Sequence, residues 1–194
     1  MPDIPSFTAP PSPKPIARLA VFCGASNGAR AEYPAAAAAV GRELARRDIT
    51  LVYGGGRAGL MGAVADAAIE QGGKAIGVIT KLLESRELGH TGITELRVVE
   101  TMHERKMMMA DLADAFIVLP GGLGTLDEMF EILAWAQLGI HSKPVGLMNA
   151  LGFYDQLWSF LDHLDREQFL RINHRTRVVL DDDAGRLIDT LRAG

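Results

Sequence analysis

Short apolar runs that end in glycine turns, each followed at once by a helical pattern, are the feature that most constrains this chain. The run Ala115-Phe-Ile-Val-Leu119 is rich in β-branched residues and is followed directly by Pro120-Gly-Gly-Leu-Gly-Thr-Leu-Asp-Glu128. A short run of this kind is typical of a parallel strand that is covered on both faces. Apolar residues recur at helical spacing from Leu126 onward, and Thr125 is placed to cap that helix. The stretch therefore predicts a strand, a glycine turn and a helix in immediate succession.

The same succession recurs along the 194 residues of the chain. The patterns predict strands over residues 18–23, 50–53, 74–79, 96–99, 115–119, 144–148 and 177–180. Helices are predicted over 32–47, 60–71, 102–112, 126–137, 154–165 and 184–191, and a long connection covers 81–94. Strands that alternate with helices predict a single-domain α/β fold with a doubly wound, mainly parallel sheet and helices on both faces, as in Rossmann-like proteins.

Composition favours small molecules as the partners of this chain. The formal net charge is −4 and no basic stripe is present, so neither nucleic acid nor a membrane surface is an expected partner. The single cysteine, Cys23, excludes an internal disulfide and favours a reducing, cytoplasmic compartment. Six of the first fifteen residues are proline, which predicts a disordered tail over 1–15 and a folded domain over 16–194.

Several turns should meet at one edge of the sheet, because ligands in such folds bind beyond the carboxyl ends of the strands. A second glycine turn follows residues 50–53, and Ser26 follows the first strand. Free backbone N–H groups and the positive end of a helix dipole favour a bound phosphate there. The candidate phosphate-binding residues at this edge are Ser26, Gly54, Gly55 and Gly56. The simpler alternative is that a chain with 21 glycines needs many tight turns in any α/β fold.

A dinucleotide is the less favoured ligand. Gly54, Gly56 and Gly59 satisfy the pattern G-x-G-x-x-G, but the next strand ends in Thr80-Lys81 instead of the acidic residue that would hold a nicotinamide ribose. A mononucleotide is therefore the simpler ligand. The five histidines and Cys23 show no metal-ligand spacing, so we expect neither a metal nor another cofactor.

Three charged residues are candidates for chemistry at the same edge. Arg105 and Lys106 should lie in the first turn of a helix that follows the fourth strand, where they could clamp a phosphate or neighbour a carboxylate. They could equally form a solvated helix face. Glu128 could be a reactive carboxylate kept ionised by Arg105. Alternatively, Thr125 and Glu128 could form a capping box in which the carboxylate only binds a backbone N–H.

These residues resemble the LOG family, the cytokinin-activating phosphoribohydrolases that are often labelled "lysine decarboxylase-like". The family signature PGGxGTxxE corresponds to residues 120–128, and the resemblance covers roughly residues 18–169. The other matching segments are Val21-Phe-Cys-Gly-Ala-Ser26, Tyr53-Gly-Gly-Gly56, Gly59-Leu-Met-Gly62, Met102-His-Glu-Arg-Lys106, Trp135-Ala-Gln-Leu-Gly-Ile-His141 and Lys143-Pro-Val-Gly146.

The resemblance implies hydrolysis of the N-glycosidic bond of a purine nucleoside 5′-monophosphate, which releases the free base and ribose 5-phosphate. It implies that Arg105 and Glu128 are the catalytic pair, with Glu128 stabilising the oxocarbenium character of C1′ and deprotonating water. An arginine stays protonated at neutral pH, so Arg105 would orient Glu128 and the substrate. The resemblance also implies a homodimer or larger assembly, and it implies substrate contacts at Lys106, Gly121, Gly122, Gly124, Thr125 and Glu87.

Two other functions stay open at this point. Many family members have Thr-Trp where this chain has Ala134-Trp135, so a broader nucleoside-monophosphate nucleosidase with the same residues is one alternative. The other is a non-catalytic nucleotide or molybdenum-cofactor carrier, because such carriers resemble this fold and share the glycine-rich turn. A carrier would not need Arg105 together with Glu128, so the pair favours an enzyme.

Overall fold

The computed structural model describes residues 15–87, 89–170, 175 and 177–193. The predicted proline-rich tail lies outside the described residues, apart from Pro15. Within the described part of the chain, no helix has both the length and the apolar character needed to cross a membrane.

The elements alternate as the sequence predicts. The strands are β1 (Arg18–Phe22), β2 (Thr50–Tyr53), β3 (Ala75–Thr80), β4 (Glu95–Val99), β5 (Ala115–Val118), β6 (Val145–Met148) and β7 (Val178–Asp181). The helices are α1 (Glu32–Arg46), α2 (Gly59–Glu70), α3 (Lys81–Glu87), α4 (Met102–Leu112), α5 (Leu123–Gln137), α6 (Asp155–Arg166) and α7 (Ala184–Ala193). A 3-10 turn at Ala150–Gly152 precedes α6.

The seven strands form one sheet in the order β4-β3-β2-β1-β5-β6-β7, and every strand pair in it is parallel. The predicted single-domain, doubly wound fold is therefore confirmed. The order runs outward in one direction from β1 to β4 and in the other from β5 to β7. The switch point lies between β1 and β5, and a crevice opens at the carboxyl ends of strands at such a point.

Apolar cores lie on both faces of the sheet. Along β1, Leu19 and Val21 face a core that includes residues of α1, α2 and α7, whereas Ala20 and Phe22 face a core that includes residues of α4, α5 and α6. This alternation follows from the period of two along a strand. Because both faces are covered, the turns at the strand ends are left as the place where a ligand can reach the chain.

Two predicted details are wrong. Residues 81–87 form the short helix α3, although the sequence predicted an irregular connection there. Seven residues are too few for helical periodicity to show, and the usable signal was Thr80, whose hydroxyl accepts a hydrogen bond from Leu83 N at 3.2 Å. Helix α5 begins at Leu123 with Gly122 as its N-cap, so Thr125 lies inside the helix instead of capping it.

Two buried tyrosines should respond in opposite ways to loss of the hydroxyl. Tyr53 Oη is buried and finds no hydrogen-bond partner among the described residues, whereas Tyr154 Oη donates to Leu119 O at 2.6 Å. We expect Tyr53→Phe to leave the free energy of unfolding unchanged or to raise it by about 1 kcal/mol, and Tyr154→Phe to lower it by about 1–2 kcal/mol. Urea denaturation of both variants checks this. A clear loss of stability in Tyr53→Phe would contradict it.

Candidate active site

A cleft of about 440 Å³ opens at the carboxyl edge of the sheet, where the turns after β1, β2 and β5 meet. Backbone hydrogen bonds join these turns: Gly24 N donates to Pro120 O at 3.1 Å, and Leu60 N donates to Gly24 O at 3.0 Å. The three turns are therefore fixed to one another independently of any side chain. This is the edge at which the sequence predicted a binding site.

Arg105 occupies the floor of the cleft because of how α4 begins. Thr101 and Glu104 form a capping box, in which Thr101 Oγ1 accepts from Glu104 N at 3.1 Å and Glu104 Oε2 accepts from Thr101 N at 3.4 Å. This fixes the first turn of α4 and directs Arg105 inward, where its side chain is only 7% exposed. This box was not among the features predicted from the sequence, although the pattern T-x-x-E at residues 101–104 signals it.

The guanidinium of Arg105 is held by three acceptors. Nε donates to Val78 O at 2.8 Å, Nη2 donates to Gly54 O at 3.0 Å, and Nη1 donates to Glu128 Oε1 at 3.1 Å. Gly54 must lack a side chain, because a Cβ atom there would lie 2.1 Å from Arg105 Nη2. The solvated-face alternative for Arg105 is therefore wrong.

Glu128 lies one turn into α5 and is 8% exposed. Burial raises the pKa of its carboxyl from 4.5 to about 7, and the adjacent charge of Arg105 limits this rise. The capping-box alternative for Glu128 does not hold, because Gly122 is the N-cap and the carboxylate pairs with Arg105. The site thus contains a carboxyl group that exchanges its proton near neutral pH, beside a fixed cation.

The N-terminus of α5 is open toward the cleft. Its N-cap, Gly122, makes no side-chain capping bond, and the first turn of this fifteen-residue helix contains no acidic residue. Thr125 is 4% exposed and lies directly beneath Gly121, where a Cβ atom would meet Thr125 Oγ1 at 2.1 Å. The first backbone N–H groups of a helix have no partner within the helix, so this end can receive an anion.

Lys106 takes a different position from its neighbour. Its ammonium lies 3.0 Å from Asp127 Oδ2 and 3.0 Å from Glu131 Oε2, both on α5, and its side chain is 16% exposed. Lys106 does not line the cleft. It joins α4 to α5 on either side of Glu128, and its positive charge lowers the pKa of that carboxyl.

The other predicted binding residues are spread around the turns. Ser26, Gly54, Gly122, Gly124 and Thr125 line the cleft. Gly121 lines an adjoining cavity of about 260 Å³, which shares Ser26 and Gly122 with the cleft. Gly55 and Gly56 lie in the turn after β2 but not on the cleft wall. The side chain of Glu87 lies outside the described residues.

Sequence reasoning missed the apolar wall of the cleft. Met61, Leu83 and Met102 line it together with Cys23. Burial raises the pKa of the Cys23 thiol far above its usual value, so this group is neutral and unsuited to nucleophilic attack. Each of these residues sits one or a few positions from a turn or a helix start, and that placement was the available signal. Among the described residues, no group of three or more His, Cys, Asp or Glu side chains is placed to hold a metal ion.

Comparison with known proteins identifies relatives of this chain. Residues 61–191 match the family model described as "Possible lysine decarboxylase". The chain is 49% identical over 174 residues to the cytokinin riboside 5′-monophosphate phosphoribohydrolase LOG4 of Arabidopsis thaliana, covering 90% of this chain and 81% of the relative. It is 44% identical over 189 residues to the cytokinin riboside 5′-monophosphate phosphoribohydrolase of Rhodococcoides fascians, covering 97% and 94%.

Solved structures with the same fold include carrier proteins. The molybdenum cofactor carrier protein of Chlamydomonas reinhardtii matches with a TM-score of 0.69 at 20% identity, covering 91% of this chain and 98% of that one. The molybdenum cofactor binding protein of Rippkaea orientalis matches with a TM-score of 0.64 at 22% identity, covering 90% and 94%. At these identities the likeness concerns the fold alone.

Proposed function

We propose that this chain, which belongs to the LOG family of cytokinin riboside 5′-monophosphate phosphoribohydrolases, hydrolyses the N-glycosidic bond of cytokinin riboside 5′-monophosphates. The products are the free base and ribose 5-phosphate. The observation that carries this proposal is the buried pair of Arg105 and Glu128, whose charged groups lie 3.1 Å apart at the floor of the cleft.

The proposed reaction needs a carboxylate near C1′. As the bond between C1′ and the purine nitrogen breaks, its electron pair goes to the base and C1′ gains positive charge. Ionised Glu128 stabilises that charge and takes a proton from the water that attacks C1′, while the departing base takes up a proton from solvent and leaves as the free base. A pKa near 7 suits this role, since a general base works best when its pKa lies close to the working pH. Arg105 keeps Glu128 oriented and favours its ionised form.

The phosphate of the substrate belongs at the open N-terminus of α5. Gly122, Gly124 and Thr125 line the cleft there, and no acidic side chain lies in the first turn to repel an anion. Binding energy from this remote group can be used to hold C1′ against Glu128. We therefore expect a nucleoside without phosphate to be a poor substrate.

Gly124→Ala separates a ligand effect from a folding effect. A Cβ atom at Gly124 meets no protein atom within 4 Å, whereas one at Gly121 would meet Thr125 Oγ1 at 2.1 Å and Gly24 N at 2.9 Å. We expect Gly124→Ala to raise the free energy of unfolding by about 0.5–1 kcal/mol, because alanine favours a helix. It should raise KM about tenfold or more, because the phosphate approaches the backbone at this point.

The matched variant Gly121→Ala should lose stability as well as activity. Thermal melts and initial rates on isopentenyladenosine 5′-monophosphate measure both properties. Unchanged KM in Gly124→Ala would move the phosphate away from the N-terminus of α5.

The apolar wall supports an N6-prenylated base as the preferred substrate. Met61, Leu83 and Met102 form a surface beside the catalytic pair that an isopentenyl group can contact and plain adenine would leave bare. The broader nucleosidase differs only in accepting AMP equally well. Initial rates on AMP and on isopentenyladenosine 5′-monophosphate distinguish the two.

Decarboxylation by a lysine Schiff base is not supported by the cleft. Among the described residues that line the cleft there is no lysine, and Lys106 is engaged by Asp127 and Glu131.

A carrier would have the same fold, but carrying a ligand gives no purpose to a buried carboxyl that titrates near neutral pH. Chromatography of isopentenyladenosine 5′-monophosphate after incubation with the protein tests the proposal. Free base together with ribose 5-phosphate supports hydrolysis, and binding of the nucleotide without release of base would support a carrier.

Self-association through α5 and the turn that follows it is a further part of the proposal. Phe130 is 41% exposed, and Leu138 and Ile140 beyond it are 69% and 66% exposed, whereas Trp135 packs against the core. Clustered exposed apolar side chains of this kind mark interfaces. Light scattering should give at least twice the mass of the monomer, and a monomer at micromolar concentration would refute this.

A single buried cysteine also supports a cytoplasmic location, which cell fractionation would check.

A further inference from the structure

His90 is a buried imidazole to which the proposed reaction assigns no role. It lies between α3 and β4, is 9% exposed, and is one of the few polar residues buried in the described part of the chain. His90 Nε2 lies 2.9 Å from Asp66 Oδ1 on α2. Gly92 N donates to His90 Nδ1 at 3.2 Å. The described contacts therefore use both ring nitrogens.

These contacts define the proton on the ring. Because Nδ1 accepts a hydrogen bond from a backbone N–H, it carries no proton. The neutral ring then carries its proton on Nε2, which donates to the carboxylate of Asp66. Asp66 is mostly exposed, with 59% of its side chain accessible, so the hydrogen bond joins a carboxylate at the protein surface to a buried ring.

The backbone next to this ring holds the turn that positions Arg105. His90 N donates to Gly55 O at 2.9 Å, and Gly89 forms a β-bridge with Gly56. The turn formed by Gly54, Gly55 and Gly56 therefore has the segment around His90 on one side. On the other side, Gly54 O accepts from Arg105 Nη2 at 3.0 Å.

We infer that His90 is a positioning residue, which fixes the turn at residues 54–56 and, through Gly54 O, the guanidinium that orients Glu128. The ring does not line the cleft, so we place its effect in the turn and not in direct contact with the substrate. Its effect would pass through a series of contacts that runs from Asp66 to His90, then to the turn, to Arg105 and to Glu128. The inference rests on the proposed function only for its kinetic readout.

The test uses variants that keep one ring contact each. His90→Asn retains an acceptor close to the position of Nδ1, His90→Gln retains a donor close to that of Nε2, and His90→Ala retains neither. His163→Ala is the control, since that imidazole is 53% exposed on α6. We expect kcat to fall about tenfold or more in His90→Ala with a smaller change in KM, because displacement of a catalytic group by a fraction of an ångström has effects of this size. His90→Gln should recover most of the loss because it keeps a donor for Asp66, His90→Asn should recover less, and His163→Ala should match the wild type.

A second readout does not need turnover. If the Arg105 guanidinium loosens, the Glu128 carboxyl loses part of its compensating charge, so its ¹³C titration in labelled protein should move to higher pH in His90→Ala. A folded His90→Ala protein with lower thermal stability but unchanged kcat and unchanged Glu128 titration would overturn the inference. Wild-type protein that releases no base would refute the proposed function instead, and the Glu128 titration would still decide the role of His90.

Discussion

Glu128→Gln is expected to lower kcat for hydrolysis of isopentenyladenosine 5′-monophosphate about a thousandfold, in line with the loss of a general base. Glutamine keeps an oxygen that can accept from Arg105 Nη1, so the floor of the cleft retains its shape. It cannot take a proton from water, and it has no charge to stabilise C1′. KM should change little, because the proposed phosphate-binding residues lie a turn away on α5. Chromatography of the released base under saturating substrate measures the effect.

The wild-type pH profile provides the second half of this prediction. Since burial raises the pKa of Glu128 to about 7, kcat/KM should rise with pH and level off above that value. For an unperturbed glutamate, this rising limb of the pH profile would lie near pH 4.3. Glu70→Gln, at the exposed end of α2, is the matched control and should leave both the rate and the limb unchanged. A profile without a limb between pH 6 and 8 would remove Glu128 from the role of base.

The sequence predicted the fold because its signal is local and repeated. The buried strands are short runs rich in β-branched or aromatic residues, and the turns after β1, β2, β5 and β6 contain glycine, so the alternation defines a parallel sheet. The order of the strands and the position of the switch point depend on contacts far apart in the chain, and the periodicity carries no information on them. The short helix α3 was missed for a related reason, because its seven residues are held by Thr80 and by neighbouring strands.

The candidate site, like the fold, could be predicted from the sequence only in part. Its turns and the first residues of its helices were visible as motifs, and resemblance pointed to Arg105 and Glu128 as partners. Spacing alone left each of them with an ordinary structural role. Their burial and their 3.1 Å contact, which remove those alternatives, arise only when α4 and α5 pack beside the sheet. The same packing separates Lys106 from Arg105: adjacent positions on a helix point about 100° apart, so one residue faces the cleft and the other faces Asp127 and Glu131.

Arg105→Gln should reduce both activity and stability. The variant leaves Val78 O and Gly54 O without their buried donors and leaves Glu128 without its cation. We expect kcat to fall about a hundredfold at pH 7 and the free energy of unfolding to fall by about 3 kcal/mol. Arg97→Gln is the control, since Arg97 pairs with Glu95 on the exposed edge strand β4 and such pairs contribute about 0–1 kcal/mol. Initial rates and urea denaturation give both values.

The loss of stability in Arg105→Gln should depend on pH in a direction that follows from Glu128. A carboxyl with a higher pKa in the folded chain than in the unfolded chain makes the folded state bind more protons, so stability falls as pH rises between the two values. In the wild type this interval runs from 4.5 to about 7. Without Arg105 its upper end moves higher, because the charge that lowers the pKa of Glu128 is gone. Arg105→Gln should therefore lose more stability relative to the wild type at pH 8 than at pH 5. The double variant Arg105→Gln with Glu128→Gln removes the titrating group, so compared with Glu128→Gln alone it should show the same stability deficit at both pH values. An equal deficit for the single variant at pH 5 and pH 8 would mean that Arg105 acts only through its hydrogen bonds to Val78 and Gly54.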